Sequence, residues 1–301
     1  MKLSERMAKG LGIDVGYIEA IAMQNNLYVK YYIKKKNGGK REILQPSKGL
    51  KVLQKWLLRN ILNEFPISEY SYAYRKGDSV VKNADRHKNS KYLLHTDIIN
   101  FFPSITRRML IYYFVKNINI VRKLELTKDD IRFVLDVCLY KGKYLVVGSV
   151  ASPTIANMVM YEFDNQLMNK LDEKGRFYYT RYADDIIVSS EKYINDDIIN
   201  LIEDMMKKYD FNINRKKTYY MNKKCRRQVT GVVIDNNTNI LTIGNRKYKL
   251  FERTLYKYLI KGDGDLEYIK GYLAYIKGVN NDQYDQLRKI YIKYDKDRKI
   301  F

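Results

Sequence analysis

The chain carries only two cysteines and two histidines in 301 residues. Cys138 and Cys225 are too few and too far apart for a metal knuckle, and they set no disulfide framework, so a reducing cytosol is the expectation. The start, Met1-Lys-Leu-Ser-Glu-Arg-Met, has no apolar stretch of the kind that marks a secretory signal. No apolar run approaches the ~18 residues that cross a bilayer, so no membrane span is expected. Internal repeats and low-complexity tracts are also missing.

What is present is charge and tyrosine. The chain is 46% hydrophobic and 30% charged, a balance that suits packed soluble structure of one large or two ordinary domains. Lys and Arg number 56 against 34 Asp and Glu, a formal charge of +22 that points to a polyanionic partner. Twenty-nine tyrosines accompany them, and basic grooves lined with aromatic rings hold single-stranded nucleic acid. A low-GC coding bias toward Lys, Tyr and Ile accounts for part of this enrichment.

In chain order, residues 4–24 read as short helices, and 28–34 alternate as a strand. A turn at Asn37-Gly38-Gly39-Lys40 returns it along 41–44, and a helix runs from Pro46-Ser47 to about residue 63. Residues 80–88 look helical, with Asn83 and His87 four apart on one face, where a lone histidine is more often structural than catalytic. Helical patterning fills 105–140, and a long helix is expected from Pro153 to about residue 171, then another over 196–209. A strand at 228–234 is interrupted by Gly231. From residue 246 onward the pattern becomes a small basic helical bundle with Tyr248, Phe251, Leu255, Tyr258 and Leu259 at helical spacing.

Two carboxylate placements stand out. Residues 177–189 read as a β-hairpin whose tip carries Asp184 and Asp185, and adjacent carboxylates on a tight turn call for a basic side chain or a divalent cation between them. Asp97 ends a buried-looking strand that begins at Tyr92, and an unpaired carboxylate there is costly without hydrogen bonds or a cation.

Asp97-Ile-Ile-Asn-Phe-Phe, Ser152-Pro153 with Asn157, Tyr182-Ala-Asp-Asp185, and Asn214 with Lys217-Thr218 form four ordered blocks. Over about residues 30–235 they resemble bacterial reverse transcriptases related to group II introns. Asn83-Ala-Asp-Arg-His87 and Val229-Thr230-Gly231 narrow the resemblance to retron reverse transcriptases. The resemblance implies an α+β right-hand fold: fingers at 1–95, palm at 96–243 with a helical insertion near 105–145, and a helical, RNA-binding thumb at 244–301. It also implies RNA-directed DNA synthesis in the bacterial cytoplasm. Two Mg²⁺ ions would be held by Asp97, Asp184 and the Ile98 carbonyl, with Asp185 in support.

By the same resemblance, dNTPs would meet Lys40, Arg41, Phe102, Ser152 and Lys217. Phe102 rather than Phe101 would select the deoxyribose, and Lys217 would contact phosphate or protonate pyrophosphate. Asn83, His87, Val229, Thr230, Gly231, Tyr248, Lys249, Arg253 and Lys257 would contact a cognate non-coding RNA. The implied product is a branched RNA–DNA hybrid, and the implied setting is phage defence with an effector protein. Two positions depart from the pattern: Val146-Val147-Gly148 replaces a Pro-Gln-Gly run, and Asp78 stands where a basic residue is usual. The altered run leaves room for an abortive-infection or diversity-generating polymerase, and the basic C-terminal bundle for a non-enzymatic RNA scaffold.

Overall fold

The computed structural model of the chain describes residues 1–24, 27–34, 38–295 and 298–301, so the turn expected at Asn37-Gly38-Gly39-Lys40 begins outside the described residues. Strands β1 (Tyr28–Lys34) and β2 (Lys40–Pro46) form an antiparallel pair with Tyr28 opposite Pro46 and Lys34 opposite Lys40. A second, antiparallel sheet has the order β4-β5-β3-β6, built from β3 (Tyr92–Asp97), β4 (Tyr178–Tyr182), β5 (Asp185–Ser190) and β6 (Tyr219–Asn222). Short strands β7 (Arg227–Val229), β8 (Val232–Ile234) and β9 (Leu241–Thr242) make a third.

The central sheet is covered on both faces, which explains why β3 and β5 read as near-continuous apolar runs. Successive side chains of a strand point to opposite faces. Accordingly Leu94, Ile186 and Val188 join one core with Leu57, Ile155, Phe163 and Ile202, whereas Leu93 and Ile187 join another with Val229, Phe251, Leu273 and Leu287. The first core lies under helices that include Lys48–Asn60, Ser152–Val159, Tyr161–Lys174 and Asp196–Lys208. The second is shared by β7–β9 and the helices Asn245–Lys261, Leu266–Val279 and Asn281–Tyr291.

Several boundaries differ from the pattern. The long helix expected from Pro153 is two segments joined at Met160, whose ψ of −2° breaks the regular helical backbone. The stretch 105–140 divides into helices Arg107–Lys116, Ile118–Lys123 and Lys128–Cys138, and the helix at 80–88 stops at Asp85. Gly148 sits at φ +110°, and a Cβ there would lie 2.7 Å from the Leu44 carbonyl oxygen. Only glycine allows this loop to lie against β2, where the Leu44 N–H donates to the Val147 carbonyl. Among the described residues no helix is long and apolar enough to cross a membrane.

His87 shows how a polar group is accommodated between the cores. Its ring is fully buried, with Nδ1 2.7 Å from Ser189 Oγ and Nε2 2.7 Å from Thr180 Oγ1. Ser189 Oγ donates to Ser90 Oγ, so it accepts from Nδ1–H, and Nε2 accepts from Thr180. Burial, with Arg86 adding to it, pushes the His87 pKa down to about 3. A folded value below the unfolded one means that this stability is fully present above about pH 6.5 and is lost as pH falls toward 3. Between pH 7 and pH 5 the wild type should lose about 2 kcal/mol more stability than His87→Gln. Urea denaturation at the two pH values measures this, and equal losses would contradict it.

Candidate active site

Asp97 closes β3 directly opposite Asp185, the first residue of β5, so the register of one strand pair brings two carboxylates to one end of the sheet. Asp184 precedes Asp185 in the two-residue loop after Tyr182, and its carbonyl accepts from the Ile98 N–H at 2.9 Å. Ala183, the other loop residue, has φ +57°, a conformation that costs an L-residue free energy unless its surroundings enforce it.

Arg181 enforces it. The guanidinium is fully buried and grips Asp164 through Nε to Oδ1 (2.8 Å) and Nη2 to Oδ2 (2.7 Å). Its Nη1 donates to the Ala183 carbonyl at 3.1 Å and to Asn157 Oδ1 at 3.3 Å. Asn157 also accepts from Ser71 and donates to the Ala73 carbonyl, while the Tyr179 hydroxyl donates to Asp164 at 2.6 Å. Burial works against the Arg181 charge, and the Asp164 carboxylate more than offsets it, so the guanidinium is held above its usual range.

The segment after Phe211 completes the cluster. Ile99 N–H donates to the Asn212 carbonyl, Asn214 N–H to the Asp97 carbonyl, and Thr96 and Thr218 hydroxyls meet at 2.8 Å. This lays Lys217 over Asp97, with Nζ 2.9 Å from both carboxylate oxygens. That hydrogen bond raises the Lys217 pKa. Burial, followed by the Asp185 and Asp97 charges, pushes the Asp184 carboxyl above its usual range. His95 Nε2 lies 3.2 Å from Asp185 Oδ1, and its ring stacks on Tyr219 at 4.6 Å.

The donor set suits a hard divalent cation. The side-chain oxygens of the cluster are carboxylates, and an ammonium already rests where a cation on Asp97 would. Among the described residues no group of three His, Cys, Asp or Glu side chains is arranged to enclose a metal, so substrate phosphates and water would supply the remaining ligands.

The other expected residues divide. Lys40 and Arg41 are exposed on β2. Phe101 is buried against Arg181 and Phe211, which leaves Phe102 as the half-exposed ring, 6.4 Å from Tyr74. Burial and then Asp184 and Tyr182 raise the Tyr74 pKa while Arg41 opposes them, so the β2 arginine and the acidic cluster act on the same ring. Ser152 is buried, and its hydroxyl accepts from the Val146 N–H at 3.4 Å, so it braces the loop. Asp78 pairs with Arg75.

Among the residues expected at RNA, Asn83, His87 and Val229 are fully buried and cannot touch it, because their side chains fill the seam beside the central sheet. Tyr248 turns inward on the stripe of Phe251 and Leu255. Lys249, Arg253 and Lys257 are exposed on one face of their helix, together with Arg246, Leu250 and Tyr256. Thr230 and Gly231 line a cavity of about 310 Å³ with Tyr182, Asp185, His95 and Tyr219. Arg181, Asp164, Tyr74 and His95 were not singled out by pattern, although Arg181 and His95 each put an ionisable side chain inside a strand.

Asp164→Ala would strand a buried guanidinium and should cost about 3–5 kcal/mol in chemical denaturation, whereas a loss below 1 kcal/mol would show the pair to be dispensable.

Residues 33–234 match the family described as "Reverse transcriptase (RNA-dependent DNA polymerase)". The chain is 34% identical over 280 residues to the retron Ec73 reverse transcriptase of Escherichia coli, covering 88% of this chain and 87% of that protein. It is 29% identical over 303 residues to the retron Ec86 reverse transcriptase of Escherichia coli, covering 96% and 88%. Telomerase from Candida albicans, solved with a fragment of telomeric RNA, aligns with a TM-score of 0.54 at 12% identity over 91% of this chain and 55% of that one. That likeness is one of fold, the right-hand polymerase arrangement. With the matched family spanning every carboxylate of the cluster, the chain belongs to the retron reverse transcriptases and is an RNA-directed DNA polymerase.

Proposed function

We propose that the protein copies part of a cognate structured non-coding RNA into single-stranded DNA, starting from a ribose 2′-hydroxyl within that RNA and leaving a branched RNA–DNA product. The observation that carries the chemistry is the meeting of Asp97, Asp184 and Asp185 at one sheet end, with the Lys217 ammonium on Asp97. The exposed basic face of Asn245–Lys261 supports an RNA partner, because structured RNA is read through phosphates, shape and stacking. A bacterial cytoplasmic setting, phage defence and an effector protein rest on the resemblance to retron enzymes. We take residues 1–95 as fingers, 96–243 as palm and 244–301 as thumb, with β7–β9 sharing the thumb's core.

Phosphoryl transfer asks a protein mainly for positioning and charge neutralisation. Asp97, Asp184 and the Ile98 carbonyl would hold two Mg²⁺ ions, which when bound neutralise phosphate charge and make the attacking hydroxyl more acidic. Asp185 supports the cluster and is itself braced by His95. Lys217, which rests on Asp97, would serve as the cationic side chain toward the phosphates. Lys40 and Arg41 grip the triphosphate, for which the planar guanidinium fork is well suited. Phe102 closes on the deoxyribose with Tyr74 beside it.

Co-expression with the native flanking locus, followed by sequencing of the co-purified nucleic acid, tests this reading. The expected outcome is one fixed DNA, complementary to part of one RNA and joined to it through a 2′–5′ bond. Asp184→Asn should co-purify the RNA with no DNA. DNA of random or phage sequence, or undiminished DNA from Asp184→Asn, would contradict the proposal.

A further inference from the structure

The two blocks that single out the retron resemblance, Asn83–His87 and Val229–Gly231, lie far apart in sequence yet touch inside the protein. Asn83 Nδ2 donates to Thr230 Oγ1 at 3.3 Å, across 147 residues. Asn83 is fully buried, and its Oδ1 is the buried side-chain oxygen without a hydrogen-bond partner among the described residues. Such an orphan costs free energy that an apolar residue of similar size would not. Thr230 is a β-branched residue at φ +45°, a strained conformation, and its hydroxyl also reaches the Val80 carbonyl at 3.4 Å.

The same short segment is bolted on both sides. Toward the central sheet, His87 holds Thr180 of β4 and Ser189 of β5, and Ser90 receives the Ser189 hydroxyl. Toward β7–β9, the buried Arg227 guanidinium donates to the carbonyls of Lys88 and Ser90 at 3.2 and 2.6 Å, and to Asn236, Asn239 and the Asp235 carbonyl. Each of these acceptors is neutral, so Arg227 acts here as a fixed hub of donors.

This joint ends at the active site. Val80, Gln228, Thr230 and Gly231 form one wall of the 310 Å³ cavity, and Tyr182, Asp185, His95 and Tyr219 form the other. Asp185 itself lines this cavity, which puts the space next to the carboxylate cluster. We propose that Asn83 is a positioning residue: by holding Thr230 in its left-handed conformation it sets the width of the cavity between the thumb-side sheet and the catalytic hairpin, and so the grip on the primer–template. On this view the buried Asn83 block serves RNA-directed synthesis through Thr230 and makes no RNA contact of its own. The inference rests on the polymerase activity alone and not on the identity of the partner RNA.

Asn83→Leu and Thr230→Val, singly and together, test it with an RNA template and a DNA primer. Each single variant should raise the KM for primer–template about 10-fold, equivalent to about 1.4 kcal/mol. The dNTP KM and kcat should stay within about twofold. The Tm of Asn83→Leu should equal or exceed that of the wild type, since the orphan oxygen is gone. The double variant should be no worse than the worse single one. An unchanged primer–template KM, a multiplicative effect of about 100-fold in the double variant, or a lowered Tm with a parallel loss of kcat would each overturn the proposal. A wild type that extends neither this primer nor its own co-purified RNA would overturn the polymerase assignment and this inference with it, an outcome separable from those three.

Discussion

The site depends on a buried ion pair. Taking Arg181 and Asp164 out of water is costly, and the cost is offset only because each charge finds nearly all its partners: two Arg–carboxylate bonds, the Tyr179 hydroxyl, Asn157 and the Ala183 carbonyl. The last of these links stability to chemistry. Arg181 holds one carbonyl of the hairpin loop while Ile98 holds the next, and the two fix Asp184 and Asp185 against Asp97. A loop free to relax would let three like-charged carboxylates move apart.

Around this point the fold is a sheet between two cores. Alternate residues of β3 and β5 feed the helical layer on one face and the C-terminal unit on the other, so the strand that carries Asp97 is anchored from both sides. The acidic cluster therefore sits at the edge of the most buried part of the molecule, while the excess of basic charge lies on exposed elements such as β2 and the Asn245–Lys261 helix. Negative charge is concentrated where cations belong, and positive charge is spread where a nucleic acid has to lie.

Much of this was legible in the sequence. The hairpin, its acidic tip and the partner strand ending in Asp97 follow from short β-rich, mostly apolar runs broken by a turn, a local signal that the sequence carries directly. The blocks of the family resemblance located the polymerase chemistry. What escaped were side-chain meetings between distant segments: Arg181 with Asp164, His95 with Asp185, Asn83 with Thr230, and Arg227 with residues 88–90. No periodicity encodes these. Asn83 and His87 carried a real signal, but their fate was burial, since a polar residue in a short helix reads the same whether it faces solvent or another strand. Tyr248 and Tyr256 were separated only by which stripe of one helix meets the core.

Replacing the buried pair as a unit, Asp164→Leu with Arg181→Met, and timing single-turnover nucleotide addition shows whether the ion pair positions the catalytic loop. An apolar replacement of both charges can leave stability nearly unchanged, so the rate reports positioning of the loop. The rate should fall about 100-fold or more below wild type, with Asp97, Asp184 and Asp185 all present, a loss typical of misplaced catalytic groups. A folded double variant that adds nucleotides at the wild-type rate would contradict that positioning role.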